Sequence, residues 1–243
     1  MLTNQFKINY SVGSIANGVK TDTFTFFLLF FYSNIIGLNP GLAGTAIFIA
    51  LCVDAFTDPL MGTISDRTNT SFGRRHPYMF ISFIPMSLGY IFLFAPRQDW
   101  DMSQSDLFVW MTIFTILTRI GMTLFDIPHR AFGGEITKNY NERTLLMSWR
   151  EMFAWVAGLS NAFLGYGVFF ASTPEFPQGQ LNPDAWFPFA LTGALIMIVS
   201  VLYSSLSTKN EINSLSKWSG SIALGAILKE LRIALGNKSF LKA

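Results

Sequence analysis

Cysteine occurs once in this chain, at Cys52, so no internal disulfide can form. That thiol, two residues before Asp54, is expected to be buried and without a redox role. Histidine occurs twice, at His76 and His129, with no partner His or Cys at ligand spacing, which argues against a metal site built on them. Charge is also scarce. Only 13% of the residues are Asp, Glu, Lys or Arg, roughly half the share a soluble domain carries. No nucleophile motif, phosphate loop or metal-ligand spacing occurs, so the sequence argues against an enzyme and calls for no cofactor.

Apolar residues fill the space that charge leaves. They make up 51% of the 243 residues, Phe alone occupies 25 positions, and the mean hydropathy is +0.38. Spanning a bilayer takes about 20 mostly apolar residues. Six segments qualify: Ile8–Tyr32, Leu42–Ile64, Tyr78–Ala95, Leu107–Pro128, Met147–Ala171 and Trp186–Leu206. The first is the least regular, because it contains Gly13, Gly18, Lys20 and Asp22. It exceeds a signal-peptide core in length and lacks a clear cleavage site, so it reads as structure. The expected fold class is an all-α membrane protein.

The basic residues are distributed unevenly between the two sides of these segments. Arg67, Arg74 and Arg75 fall in the loop after the second segment, and Arg130, Lys138 and Arg143 fall after the fourth. Lys209, Lys217, Lys229, Arg232, Lys238 and Lys242 follow the sixth. The opposite side has only Arg97, beside Asp99, Asp101 and Asp106. This asymmetry predicts an integral multi-pass protein of the plasma (inner) membrane with both termini cytoplasmic. Residues 1–206 are expected to form a six-helix bundle. Residues 207–243 are expected to form a cytoplasmic amphipathic linker, since Ile222, Leu224, Ile227, Leu228, Leu231 and Leu235 recur at near-helical spacing.

Charges inside the spans carry the functional signal. The stretch 54–77 reads DAFTDPLMGTISDRTNTSFGRRHP, with the apolar run Ile47 to Val53 before it. Asp54 and Asp58 are four residues apart and so share one helix face. A charge at bilayer depth costs about 2.5–3.5 kcal/mol on insertion scales and usually faces a cavity or ion path. Asp126 stands in FDIPHR at the end of the fourth segment, with Thr123 three residues earlier; the fifth opens with Arg150 and Glu151. If the second and fourth helices pack together, Asp54, Asp58 and Asp126 converge, with Thr57 and Thr123 as neutral oxygens. Such an oxygen-rich set suits a hard cation or a proton, and a sodium ion there is the one metal the sequence provides for. The bland alternative is that these acids merely pair with Arg119 and Arg150. Gly62, Asp66, Arg67, Gly73, Arg74 and Arg75 form a loop motif in which the basic residues suit a positive-inside anchor. Asp66 is expected to accept from a neighbouring helix N-terminus as a breakable latch between moving parts.

The segment DAFTDPLMGTISDRTNTSFGRRHPY, with GLNPGLAG before it and DIPHRAFGGEITKNYNERTLLMSWRE after it, resembles the glycoside–pentoside–hexuronide:cation symporters of the major facilitator superfamily. The resemblance covers nearly all of this chain and corresponds to the N-terminal half of such a transporter. It implies a six-helix bundle of 3+3 inverted repeats, facing a C-terminal six-helix bundle. It also implies a cation site at Asp54, Thr57, Asp58, Thr123 and Asp126, taking sodium or a proton, and a solute site at Asp126 and Arg150. The family's sugar-gripping acid on the first helix falls at Gly18, so Asp22 and Lys20, nearby, are the expected substitutes. The implied partner is a small glycoside, pentoside or hexuronide, with membrane lipid around the bundle and no nucleic acid. Lys20, Arg119 and Arg150 also suit an acidic sugar. Two rival functions stand beside symport: carriage of a lipid or lysolipid on the same fold, and a non-transporting membrane interaction protein.

Overall fold

The computed structural model describes residues 2–214, and the amphipathic segment expected at Trp218–Lys242 lies outside them. The regular structure of the described residues is helical, in six long stretches joined by loops. α1 runs over residues 4–36, α2 over Pro40–Arg67, α3 over His76–Leu93, α4 over Gln104–Glu135, α5 over Tyr140–Phe169 and α6 over Trp186–Ser207. The last five lie in helices long and apolar enough to cross a membrane. α1 is interrupted at Gly13 and carries two π-helical segments, Thr23–Phe27 and Phe31–Ile36.

Local chemistry sets the ends. Gly37 closes α1 at φ +85°, a left-handed conformation that costs glycine little. Asn39 caps α2, accepting from the Gly41 N–H at 2.8 Å, and Pro40 takes the first helical position, where its missing N–H costs nothing. Ser103 and Asp106 form a reciprocal capping box at the start of α4. The hydrogen-bond ladder of α3 is interrupted at Ser82, three residues before Pro85, which cannot donate to the carbonyl one turn back.

α4 lies between α2 and α3, α1 lies between α5 and α6, and α3 packs on α6. This pattern maps onto itself when each of the first three helices is exchanged for the helix three places later. Each helix reverses the chain direction, so the exchange also inverts it. The bundle is therefore the expected pair of inverted three-helix repeats.

Small residues bring the backbones together, as is usual where lipid removes the hydrophobic drive between helices. A Cβ at Gly18 of α1 would stand 2.0 Å from the Ala154 carbonyl oxygen of α5, and one at Gly121 of α4 would stand 2.3 Å from the Met86 nitrogen of α3. Trp186 and Phe27, Phe31, Phe94, Phe170 and Phe189 fill one end of the bundle. At the other end the Tyr10 hydroxyl donates to the His129 carbonyl at 3.0 Å and the two rings stack. Of these five spans α2 and α5 are the least enclosed, with 17% and 28% of their apolar windows buried against 50% for the sixth helix. Cys52 is exposed on α2. Its expected burial is therefore corrected: the residue lies on a face of α2 that no other described helix covers.

Candidate functional site

The acids of α2 and α4 meet in one cavity. Asp54 and Asp58 project from α2, and Arg119, Thr123, Asp126 and Arg130 recur at steps of four, three and four along one face of α4. α1 contributes Asn17 and Lys20. Together these residues line a space of about 180 Å³. Both helices carry a proline beside their acids, Pro59 and Pro128, and each removes one backbone hydrogen bond from its helix.

Four polar contacts order the cavity. Arg119 forms an ion pair with Asp54 and lies over the Phe24 ring of α1. The Thr123 hydroxyl donates to Asp58 at 2.7 Å. Asp126 is shared, accepting from Arg130 Nε at 2.6 Å and pairing with Arg150 of α5 through its other oxygen. Arg150 is buried and also donates to Glu151 at 2.8 Å, while its Nε has no hydrogen-bond partner among the described residues. The arginines therefore do pair with the acids, as the bland alternative required, yet two features remain open. Asp58 has no ion pair among the described residues, and Asp54 Oδ1 is buried without a hydrogen-bond partner. Most buried polar atoms are satisfied, so an orphaned carboxylate oxygen beside a second acid, in a space of this size, is where a cation or proton is favoured.

The remaining expected residues divide. Thr57 does not line the cavity; its hydroxyl turns back to the Asp54 carbonyl of its own helix at 3.5 Å. Asp22 lies in a second cavity of about 320 Å³ between α1 and α5, together with Glu151 and Trp155. Its carboxylate accepts from Asn161 at 3.0 Å. Asn17 lines both cavities and so joins them. The solute residues inferred from the sequence thus do not form one cluster: Asp126 with Arg150, Lys20 in the acid cavity, and Asp22 next door.

The loop motif is built differently from the expectation. Asp66, at the end of α2, accepts from the side chain of Arg75 at 2.6 Å rather than from a helix N-terminus. Arg75 also reaches Glu135 at the end of α4 at 2.8 Å, and Arg74 pairs with the same carboxylate. Arg67 lies in the last turn of α2. Gly73 adopts φ +77° in the loop, whereas Gly62 is helical and faces Ile127 of α4 rather than bracketing the turn. Glu135 was not among the candidates. Its sequence signal, an acid closing a Gly-Gly step, is weak, and only the packing of α2, α3 and α4 brings it to the arginines.

The chain matches the model of the family described as MFS/sugar transport protein over residues 9–242. It is 32% identical over 206 residues to an uncharacterized symporter of Synechocystis, covering 82% of this chain and 36% of that protein. It is 28% identical over 239 residues to a putative glycoside/cation symporter of Escherichia coli, covering 98% of this chain and 49% of the relative. The chain therefore spans half or less of the length of these relatives. Its fold matches the inward-open xylose transporter of Escherichia coli at a TM-score of 0.59 and 12% identity, over 98% of this chain and 54% of that one. These neighbours are transporters rather than enzymes. The chain is an integral membrane protein of the MFS/sugar transport protein family and resembles its glycoside–cation symporter members.

Proposed function

We propose that this chain is one bundle of a secondary active symporter that couples a cation to a sugar-type solute, its binding site completed by a second six-helix bundle. The convergence of Asp54, Asp58 and Asp126 from two helices into one cavity, with Asp54 Oδ1 unpartnered, carries the reading. Asp54, Asp58, Thr123 and Asp126 hold the cation, which is sodium or a proton, and Thr57 supports Asp54 through its backbone. Arg150 and Lys20 face the solute with Asp126, and Asp22 does so from the adjoining cavity. Asp126 belongs to both sets, which gives a physical route for coupling: one carboxylate cannot serve the cation and the solute independently. Coupling of this kind is reciprocal, each ligand raising the affinity of the other by the same factor.

The low enclosure of α2 and α5, whose exposed faces carry Phe48, Phe56, Trp155 and Phe163, supports a second bundle packed there. Alternating access then moves one bundle against the other around the site. The basic loops face the cytoplasm of a plasma (inner) membrane, and the Asp66–Arg75–Glu135 cluster ties the ends of α2, α3 and α4 on that side. The test is solute uptake by the complete gene product with sodium and proton gradients imposed separately. Uptake of a sugar driven by either gradient supports the reading. Gradient-independent uptake, or uptake of a lysolipid in place of a sugar, refutes it.

A further inference from the structure

The seam between α3 and α6 ends in a cavity of about 780 Å³ that neither the cation site nor the solute site uses. Helix contacts run in the order α2, α4, α3, α6, α1, α5, so this seam stands across the bundle from α2 and α5. With the second bundle at α2 and α5, the seam faces lipid. The cavity lies at the end opposite the basic loops, where α3 gives way to residues 97–100 and α6 begins at Trp186. α6 has 22 residues, about 33 Å, so its first turn sits at the headgroup level of a bilayer. Trp100 and Trp110 pack edge-on at 5.8 Å, and Trp110 Nε1 donates to the Phe92 carbonyl at 2.8 Å. Tryptophans gather at membrane interfaces in this way.

Charged and apolar groups both line the cavity. Arg97, Asp99 and Asp184 supply the charge, two negative against one positive. Arg97 Nε stands 3.4 Å from Asp99, and Arg97 Nη2 donates to Asp184 at 3.3 Å. Charge-assisted contacts usually measure about 2.7–2.9 Å, so both pairs are loose, and all three side chains are more than half exposed. The surrounding backbone is better fixed. The Gln98 side-chain amide donates to the Ile35 carbonyl near the end of α1, and Phe94 in the cavity wall stacks on buried Trp186. Phe92 and Phe187 line the apolar part. From them two exposed ridges continue at steps of four, through Leu88 to Ile84 on α3 and through Leu191 to Leu195 on α6. Each ridge extends about 12 Å along its helix, towards the middle of the bilayer.

We propose that this cavity binds one phospholipid with an ethanolamine headgroup, drawn from the leaflet opposite the basic loops. Its phosphate pairs with Arg97, its ammonium sits between Asp99 and Asp184, and an acyl chain follows the ridges that start at Phe92 and Phe187. A guanidinium presents a fork of donors matched to phosphate oxygens. When phosphate takes Arg97, the two carboxylates lose their partner, and the ammonium replaces it. A phosphatidylglycerol headgroup satisfies Arg97 but leaves both acids without a cation. A choline headgroup brings the positive charge, yet its methylated nitrogen has no hydrogen to donate, whereas a primary ammonium has three. The charge pattern therefore selects ethanolamine over both. The lipid is a bound partner on the outer face of the bundle and not a transported solute.

The experiment uses the complete gene product, purified in detergent and stripped of endogenous lipid. Dioleoyl phosphatidylethanolamine, phosphatidylcholine and phosphatidylglycerol are titrated in turn, and bound lipid is counted by native mass spectrometry. The ethanolamine lipid is expected to bind roughly threefold or more tightly than either of the others, the scale of exposed ion pairs. Asp99→Asn combined with Asp184→Asn is expected to lower its affinity to that of the choline lipid. Arg97→Gln is expected to weaken both. A diazirine-bearing ethanolamine lipid, mapped by peptide on the unmodified protein, is expected to label Phe92, Trp100 or Phe187, and this arm decides the matter even where a variant misfolds. Equal binding of the three headgroups, tighter binding of phosphatidylglycerol, or a preference that survives the double substitution overturns the site. So do crosslinks confined to other segments, or a dimer of the complete protein that buries Phe92 and Phe187 in place of lipid.

Discussion

Thr123 of α4 donates its hydroxyl hydrogen to Asp58 of α2 at 2.7 Å, joining the two helices inside the acid cavity beside the Arg119–Asp54 pair. A bond to a charged group contributes about 1.5–3 kcal/mol. Thr123→Ser keeps it and is expected to retain near-normal cation affinity in the complete protein. Thr123→Val removes it and is expected to weaken cation affinity about tenfold or more. Titrating solute uptake with sodium and with pH checks both; a Val variant with wild-type cation dependence removes Thr123 from the site. Asp58→Asn is expected to abolish cation stimulation while leaving some solute binding.

Arg119 and Asp54 form a pair at membrane depth. Removing one member of such a pair strands the other and costs about 3–5 kcal/mol. Arg119→Gln alone is expected to destabilise the protein by about that amount, and Arg119→Gln with Asp54→Asn by clearly less. Thermal unfolding of the singles and the double in detergent reads this; additive losses mean that the two groups are not coupled.

Gly18 has no room for a side chain, since a Cβ would lie 2.0 Å from backbone oxygen of Ala154. Gly18→Val is expected to force α1 from α5 and to yield little folded protein. Gly44 of α2 has nothing within 4 Å of a Cβ, so Gly44→Ala is expected to be neutral or to stabilise by up to about 1 kcal/mol. Size-exclusion profiles of the two variants make the comparison, and a well-behaved Gly18→Val rejects the close packing.

Cys52 tests for a second bundle without any substitution. Its exposure on α2 predicts ready reaction with a membrane-permeant maleimide in the 243-residue chain. In the complete gene product it is expected to react several-fold more slowly. Equal rates argue that this face of α2 meets lipid.

Topology is read by cysteines placed at Asn69, Tyr140 and Gln178, all exposed. With an impermeant reagent on intact cells, Gln178→Cys is expected to label and the other two to stay unlabelled. Labelling at Asn69 from outside inverts the orientation.

Much of this was legible in one dimension because lipid makes local rules strict. A bilayer admits only helices or closed barrels, so the apolar run lengths predict six helices, and the Lys/Arg asymmetry implies an orientation. The i,i+4 spacing places Asp54 and Asp58 on one face whatever the fold. Tertiary structure decided the rest, because partner choice depends on which helices touch. Only the packing of α2 on α4 pairs Arg119 with Asp54 and leaves Asp54 Oδ1 open. The cross-helix contact of Arg75 with Glu135 links residues 60 apart in the chain, beyond the reach of any periodicity. Cys52 was misjudged for the same reason: an apolar run has the same composition whether it faces protein or lipid, and packing alone settles which side is covered. Asp22 and Lys20 are two residues apart, hence about 200° around a helix, and the structure sends them to different cavities. Sequence determined which chemical groups enter the membrane. Helix packing determined which of them meet.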